Sequence, residues 1–222
     1  VQVWLIRLDV PATLVAELMA VLDDSERPRA ARPGQPGHER RHIVTHGAAR
    51  VIIGRFAGIA AERIEWRSGP NGKPELGGAC RGLQVSLSHS GGLAALAIAP
   101  DRRVGVDVQA FPARMDPVRM AERFYPADEA RFVAGGGTGG QLGRFIRLWA
   151  RKEACVKVAG GVLMQGMRLP VRGAGPVVVH DPGGALPGPF TVHDVAVPRR
   201  FRAAVAAEGV RPYDVLRHWW PG

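Results

Sequence analysis

Between Phe145 and Lys157 the chain reads Phe-Ile-Arg-Leu-Trp-Ala-Arg-Lys-Glu-Ala-Cys-Val-Lys, and any fold it adopts must place charges where apolar residues belong. At about 100° per residue, Phe145, Ile146, Leu148, Trp149 and Val156 share one face of a helix. Lys152 projects into the middle of that face. Glu153 falls on its edge, between Trp149 and Ile146, and Lys157 lies one turn further along the same row. A charge held against a core must be paired, bound to a metal or neutralised. From this helix alone two accounts stay open. Either Lys152 snorkels to the surface while Glu153 and Lys157 form an ordinary pair four residues apart, or these charges line a site.

The chain has 222 residues with 46% hydrophobic content, enough for a real core in one large domain or two fused small ones. No apolar run approaches the roughly 20 residues of a membrane span. Val1 to Val10 alternate like a strand and carry no basic leader with a cleavage site, so a cytoplasmic protein without membrane attachment is expected. Cys80 and Cys155 are too few and too far apart for a disulfide framework or a zinc ribbon, and both read as reduced thiols. The formal net charge of +10 calls for an acidic partner. Almost all of that charge is Arg; the only lysines are Lys73, Lys152 and Lys157, so each marks a place where a compact ammonium on a flexible stem is needed.

In chain order, Val1 to Asp9 reads as a strand and Pro11 to Leu22 as an amphipathic helix. Asp24 to Gly37 is a Pro-, Arg- and Gly-rich connection with Arg27, Arg29 and Arg32, suited to closing over an anion. His38 to Ile59 reads as a second helix. Its His38, His42 and His46 could stack on one face, but no His-Glu-x-x-His accompanies them. A basic face with Arg41 and Arg50 is the stronger account. Asn71 and Gly72 predict a tight reversal with Lys73 at its tip. Leu83 to Leu87 and Leu93 to Ala99 read as strands joined by a loop from Ser88 to Gly92, whose donors could hold a phosphate or simply turn a hairpin. In Val104 to Val108 an acid, Asp107, interrupts an apolar strand, with Gln109 on the same face and Gly105 permitting close approach. Helices follow over Met115 to Phe124 and Tyr125 to Phe132, the second with Glu129 in its first turn, where helix starts favour acids. Gly135 to Gly140 reads as a hinge, Gly160 and Gly161 as a helix stop, Phe190 to Val197 and Phe201 to Ala207 as paired strands, and Leu216 to Trp220 as an apolar tail.

The two halves repeat one order: strand, helix, charged connection, long helix, pair of strands. This predicts an α+β fold of two similar halves, 1–103 and 104–222, related by a pseudo-twofold axis. Each half would be an antiparallel sheet packed on helices, tightly joined, with the active site in the cleft between them.

Asp107 and Glu153 with a neutral amide suit a hard ion such as Mg2+, which takes its remaining ligands from substrate phosphates. Lysines, arginines and the Ser88 and His89 loop would hold more than one phosphate. Phosphoryl-type transfer needs placement and charge neutralisation rather than a protein nucleophile, and no Gly-x-Ser-x-Gly elbow or Walker loop is found. At Gly72, Lys73 and Pro74; Ser88, His89 and Ser90; Gly105 to Val108; Phe124 with Glu129; and Leu148 to Ala154 through Lys157, the sequence resembles the 4'-phosphopantetheinyl transferase superfamily, in its surfactin-synthetase-activator type. The resemblance implies Mg2+-dependent transfer of phosphopantetheine from coenzyme A to a serine of an acidic acyl or peptidyl carrier protein, with 3',5'-ADP released, by a monomer that needs no nucleic acid.

By position the resemblance implies that Asp107, Gln109 and Glu153 hold Mg2+, with Gln109 acting directly or through a water. Lys157 would contact the pyrophosphate and Lys73 would lie near the adenosine. Ser88, His89, Arg27 and Arg41 would surround the nucleotide phosphates. Glu129 would serve as the base for the incoming serine, directly or through a metal-bound water, beside Glu153 and Lys157 in the catalytic set; Lys152 either touches substrate or props Glu153. Many relatives carry Glu where this chain has Gln109. The rival reading is a non-catalytic basic module that binds coenzyme A or nucleic acid.

Overall fold

The computed structural model describes residues 1–32 and 36–221; residues 33–35, inside the connection expected over 24–37, lie outside the described residues. The chain begins with β1 (Gln2–Arg7), α1 (Ala12–Ala20), the single turn α2 (Arg27–Ala30) and the long α3 (His38–Ala57). A small hairpin of β2 (Trp66–Ser68) and β3 (Pro74–Leu76) precedes β4 (Gln84–Ser90) and β5 (Leu93–Ala99). After β6 (Val104–Ala110) come α4 (Pro117–Phe124), α5 (Ala127–Ala134), α6 (Gly137–Ala159) and α7 (Leu163–Gly166). The chain closes with β7 (Val177–Val179), β8 (Phe190–Val195), β9 (Phe201–Glu208) and β10 (Leu216–Trp219).

The fold is α+β with two four-stranded sheets, ordered β10-β1-β5-β4 and β6-β9-β8-β7. Pairing is antiparallel except between β1 and β10, which run parallel. That exception corrects the expectation of a purely antiparallel first sheet. The C-terminal tail, numbered with the second half, completes the first sheet: Leu216 pairs with Gln2, and the Trp220 N–H donates to the Leu5 carbonyl at 2.9 Å. It is anchored because Trp220 buries its ring in the core under β1.

The two-residue strand period divides the interior into three cores. Ile6, Leu96 and Ile98 face α1 and α3, and Val192, Ala204 and Ala206 face α6. Between the sheets lies a third core, where Val3, Leu5 and Ala95 meet Val104, Val106, Val108 and Val205. The helices are therefore outer layers, and β4 and β6 lie side by side at the seam between the sheets.

Two segments depart from expectation. β4 runs through Ser90, so Ser88 and His89 belong to a strand and only Gly91 and Gly92 turn the hairpin. The glycine run expected as a hinge is absorbed into α6 from Gly137 onward. α6 ends at Gly160 with φ 65°, the left-handed stop that glycine adopts without a Cβ penalty.

Candidate active site

α6 crosses β6 backbone against backbone. A Cβ added at Gly105 would lie 2.1 Å from the Ala154 carbonyl oxygen and 2.7 Å from the Val158 nitrogen, so only glycine permits this approach. The crossing brings Glu153 and Lys157, one helical turn apart, to the face of β6 that carries Asp107. Asp107 is buried at 1% exposure, and both its oxygens are engaged. Oδ1 accepts from Ser88 Oγ at 2.8 Å and from Lys157 Nζ at 2.7 Å, and Oδ2 accepts from Gln109 Nε2 at 2.9 Å. Half-buried Glu153 has its pKa raised, first by desolvation and then by the Asp107 charge, while Lys157 and the Trp149 indole oppose the rise. Two carboxylates that repel each other beside one ammonium form a site that gains by receiving a cation.

Cavities flank this point on both sides. A cavity of about 410 Å³ lined by Gln109, Phe111, Met115, Trp149 and Glu153 opens on one side, mostly apolar apart from its acidic end. On the other, His38, Arg41 and His89 line a second of about 410 Å³, and Ser90 borders both. Further along, Arg29, Arg32, His46 and Trp66 surround about 370 Å³. It shares Gly72, Pro74 and Leu87 with a smaller cavity of about 180 Å³ that contains Lys157. The result is a cationic groove leading from the arginine connection to the acid pair.

The remaining expected residues divide. His89 and Arg41 face the groove together, with Arg41 also held by the Pro36 carbonyl at 2.8 Å. Arg27 turns away, donating to the Ala20 carbonyl at 3.3 Å and sitting 3.6 Å from Asp24; Arg29 and Arg32 line the cavity in its place. Lys73 does not stand at a hairpin tip. Its Nζ donates to the Val104 and Val158 carbonyls, both at 3.2 Å, and burial followed by the Arg103 charge lowers its pKa to about 8. Arg50, expected on a basic face, is fully buried. It pairs with Glu26 at 2.6 Å and with Asp23, and donates to the Ala61 and Ile64 carbonyls. Of the three histidines His42 and His46 stack, with rings 4.1 Å apart, while His38 is tilted from His42 at 6.2 Å. Among the described residues no three His, Cys, Asp or Glu side chains converge as metal ligands.

Glu129 requires a correction. It has no exposed surface: Oε1 accepts the Val171 N–H at 2.7 Å and the Arg172 N–H at 2.9 Å, while Oε2 lies 2.6 Å from Lys152 Nζ. Lys152 is equally buried, stacks over the Tyr125 ring at 4.6 Å and donates to the Leu169 carbonyl. Burial lowers the Lys152 pKa despite its partner. The charge in the middle of the apolar face thus neither snorkels nor touches the groove. It is paired from α5, and that pair clamps residues 169–172.

Comparison with known proteins adds the family. A family model described as the 4'-phosphopantetheinyl transferase superfamily matches residues 103–183. The 4'-phosphopantetheinyl transferase HetI of Nostoc sp. is 33% identical over 162 residues, covering 72% of this chain and 68% of that protein. This chain belongs to the 4'-phosphopantetheinyl transferase superfamily. The 4'-phosphopantetheinyl transferases AcpT of Salmonella typhi and psf-1 of Bacillus pumilus are 32% and 30% identical over 118 and 128 residues. Those alignments cover 53% and 58% of this chain, and 59% and 53% of the respective proteins. In this transferase the matched segment contains β6 and α6, hence Asp107, Glu153 and Lys157. The cationic walls contributed by α2, α3 and the β2–β3 hairpin lie outside the residues that the family model matches.

Sequence reasoning names Ser88 and Ser90 but misses Ser86 and the strand that carries all three. Ser86, Ser88 and Ser90 recur every second residue, a strand signal that the adjoining Gly91 and Gly92 mask.

Proposed function

We propose that the chain is a Mg2+-dependent phosphopantetheinyl transferase of the surfactin-synthetase-activator type, moving phosphopantetheine from coenzyme A to a serine of an acidic acyl or peptidyl carrier protein. Superfamily membership favours catalysis over a non-catalytic basic module. The observation that carries the reading is the close crossing of α6 over β6 at Gly105, which sets Lys157 2.7 Å from Asp107 and lets Glu153 line one cavity with Gln109. The donor set fits Mg2+: two oxygen ligands of like charge, plus an amide whose nitrogen is spent on Asp107 and whose carbonyl oxygen is the end left for a cation. When bound, the ion would neutralise the developing charge on the pyrophosphate.

The chain's own residues supply the rest. Arg41 and His89, with Arg29 and Arg32, are the groups we assign to the nucleotide phosphates, and Lys157 is the ammonium that can pass from Asp107 to the pyrophosphate. In the reaction the carrier serine oxygen bonds to the phosphorus of the phosphopantetheine phosphate. The bond from that phosphorus to the bridging oxygen breaks, and 3',5'-ADP leaves. The serine proton goes to a carboxylate, and Glu153, which lines a cavity, is better placed to take it than the fully enclosed Glu129.

The strand order 1-3-2 recurs as β1-β5-β4 and β6-β9-β8, which supports two halves related by a pseudo-twofold axis. The net charge of +10 favours an acidic carrier. Two buried free thiols accord with a reducing compartment, and we place the enzyme in the cytoplasm as a monomer. No helix among the described residues is long and apolar enough to cross a membrane. Incubating the protein with coenzyme A, Mg2+ and apo carrier proteins tests the reading. Gain of one phosphopantetheinyl group by intact mass is expected, and its absence with fatty-acid, polyketide and peptide carriers alike would refute it.

A further inference from the structure

β6 is paired with a strand on one edge only, through β9. Its outer edge is buried against β4, and buried backbone groups must find partners. Those partners are side chains. Ser86 Oγ accepts the Val106 N–H at 3.0 Å, Ser88 Oγ the Val108 N–H at 3.3 Å and Ser90 Oγ the Ala110 N–H at 3.0 Å. The carbonyls of Val104 and Val106 accept from Lys73 and Lys157, each at 3.2 Å. One serine serves each of these three N–H groups because both strands share the two-residue period.

Three serines thus have one structural task, and one of them has a second. A hydroxyl carries a single hydrogen. Ser88 accepts from Val108 and directs that hydrogen to Asp107 Oδ1, 2.8 Å away. With Gln109 on Oδ2, this contact fixes the rotation of the carboxylate about its own stem. We infer that Ser88 is a positioning residue: by bridging the β6 backbone and Asp107 Oδ1 it holds the Asp107 carboxylate toward Glu153 for a divalent cation, a task Ser86 does not share. The inference rests on the metal-dependent reading above.

Divalent-cation binding is to be measured calorimetrically with Mg2+ and Mn2+ in the presence of coenzyme A, on the wild type, Ser86→Ala, Ser88→Ala and Ser88→Thr, alongside thermal unfolding. Ser86→Ala and Ser88→Ala each leave one strand N–H without a partner, so similar losses of Tm are expected. Only Ser88→Ala should weaken cation binding, by about tenfold or more, as loss of a group that orients a metal ligand does; Ser88→Thr should restore it. Should Ser88→Ala fail to fold, Ser88→Cys, whose thiol is a weak donor of similar size, is read in the same way. Cation affinity of the Ser88 variant within about twofold of wild type, or an equal loss in Ser86→Ala, overturns the positioning role and leaves the transfer reading standing. Absence of cation binding in the wild type removes the metal reading and this inference together.

Discussion

α6 holds two acid–ammonium pairs of nearly equal length, and they do opposite things. Lys152 and Glu129 meet at 2.6 Å with both side chains fully enclosed; Lys157 and Asp107 meet at 2.7 Å with the lysine side chain 28% exposed. In the enclosed pair the acid's other oxygen is taken by the N–H groups of Val171 and Arg172, which cannot leave without unfolding residues 169–172. In the open pair the acid is held by side chains that can turn, and a second carboxylate, Glu153, stands beside it. Ion-pair geometry does not separate structure from function here. What separates them is whether the partners can be exchanged for a ligand.

Breaking the enclosed pair should have the largest energetic effect. Lys152→Met or Glu129→Gln should lower unfolding free energy in denaturant by about 3–5 kcal/mol, because one buried charge or polar group is left alone. Replacing both residues by apolar ones of similar volume should recover most of that loss. A loss of transfer with unchanged stability in Glu129→Gln would reverse the comparison and return Glu129 to the chemistry.

Breaking the open pair should do the converse. Asp107→Ala and Glu153→Ala should each reduce transfer by at least about a hundredfold, the scale of losing one preorganised charge-stabilising group. Circular dichroism should stay near wild type for both; the denaturant midpoint should hold for Glu153→Ala and fall modestly for Asp107→Ala, which leaves buried Ser88 without its acceptor. An inactive variant that is also unfolded would place Asp107 in the structural class instead.

A pH experiment sharpens the contrast from the groove side. Burial, and then the His46 charge, lower the His42 pKa to about 4 against an ordinary 6.5, with Glu26 opposing and His38 and His89 adding to the fall. The unfolded chain therefore takes up this proton more readily. The contribution of neutral His42 to stability is complete above pH 6.5 and is lost as pH falls toward about 4. His42→Leu should flatten the stability curve over that interval, measured by denaturant unfolding at several pH values. Parallel curves for the two proteins would contradict the assignment.

The smallest effect is expected at Gln109, the neutral member of the metal set. Gln109→Glu adds a negative charge beside Asp107 and should tighten Mg2+ binding without coenzyme A by roughly tenfold or less. Unchanged or weaker affinity would contradict placing Gln109 at the ion.

Much of this contrast was legible in the letters. Helical periodicity placed Lys152 on the apolar face and Glu153 at its edge, and strand periodicity set Asp107 and Gln109 on one side of β6. Periodicity names a residue's own face but not the partner it meets, so Glu129 read as a helix-start acid when its partners come from Lys152 and from residues 169–172. Lys73 read as a tip because its reach back to Val104 and Val158 depends on tertiary approach. Pairing of β10 with β1 joins opposite ends of the chain, and no local pattern encodes it. The serines of β4 carry the strand period, but Gly91 and Gly92 beside them make the expected turn too wide.

The account stands on Asp107 and Glu153 acting together on coenzyme A, and comparison of carrier modification by the wild type and Glu153→Ala tests this most directly. With apo carrier, Mg2+ and coenzyme A at equal enzyme concentration, intact-mass spectrometry should find the wild type converting the carrier while the folded variant leaves it unmodified. Conversion by Glu153→Ala at the wild-type rate would contradict the account.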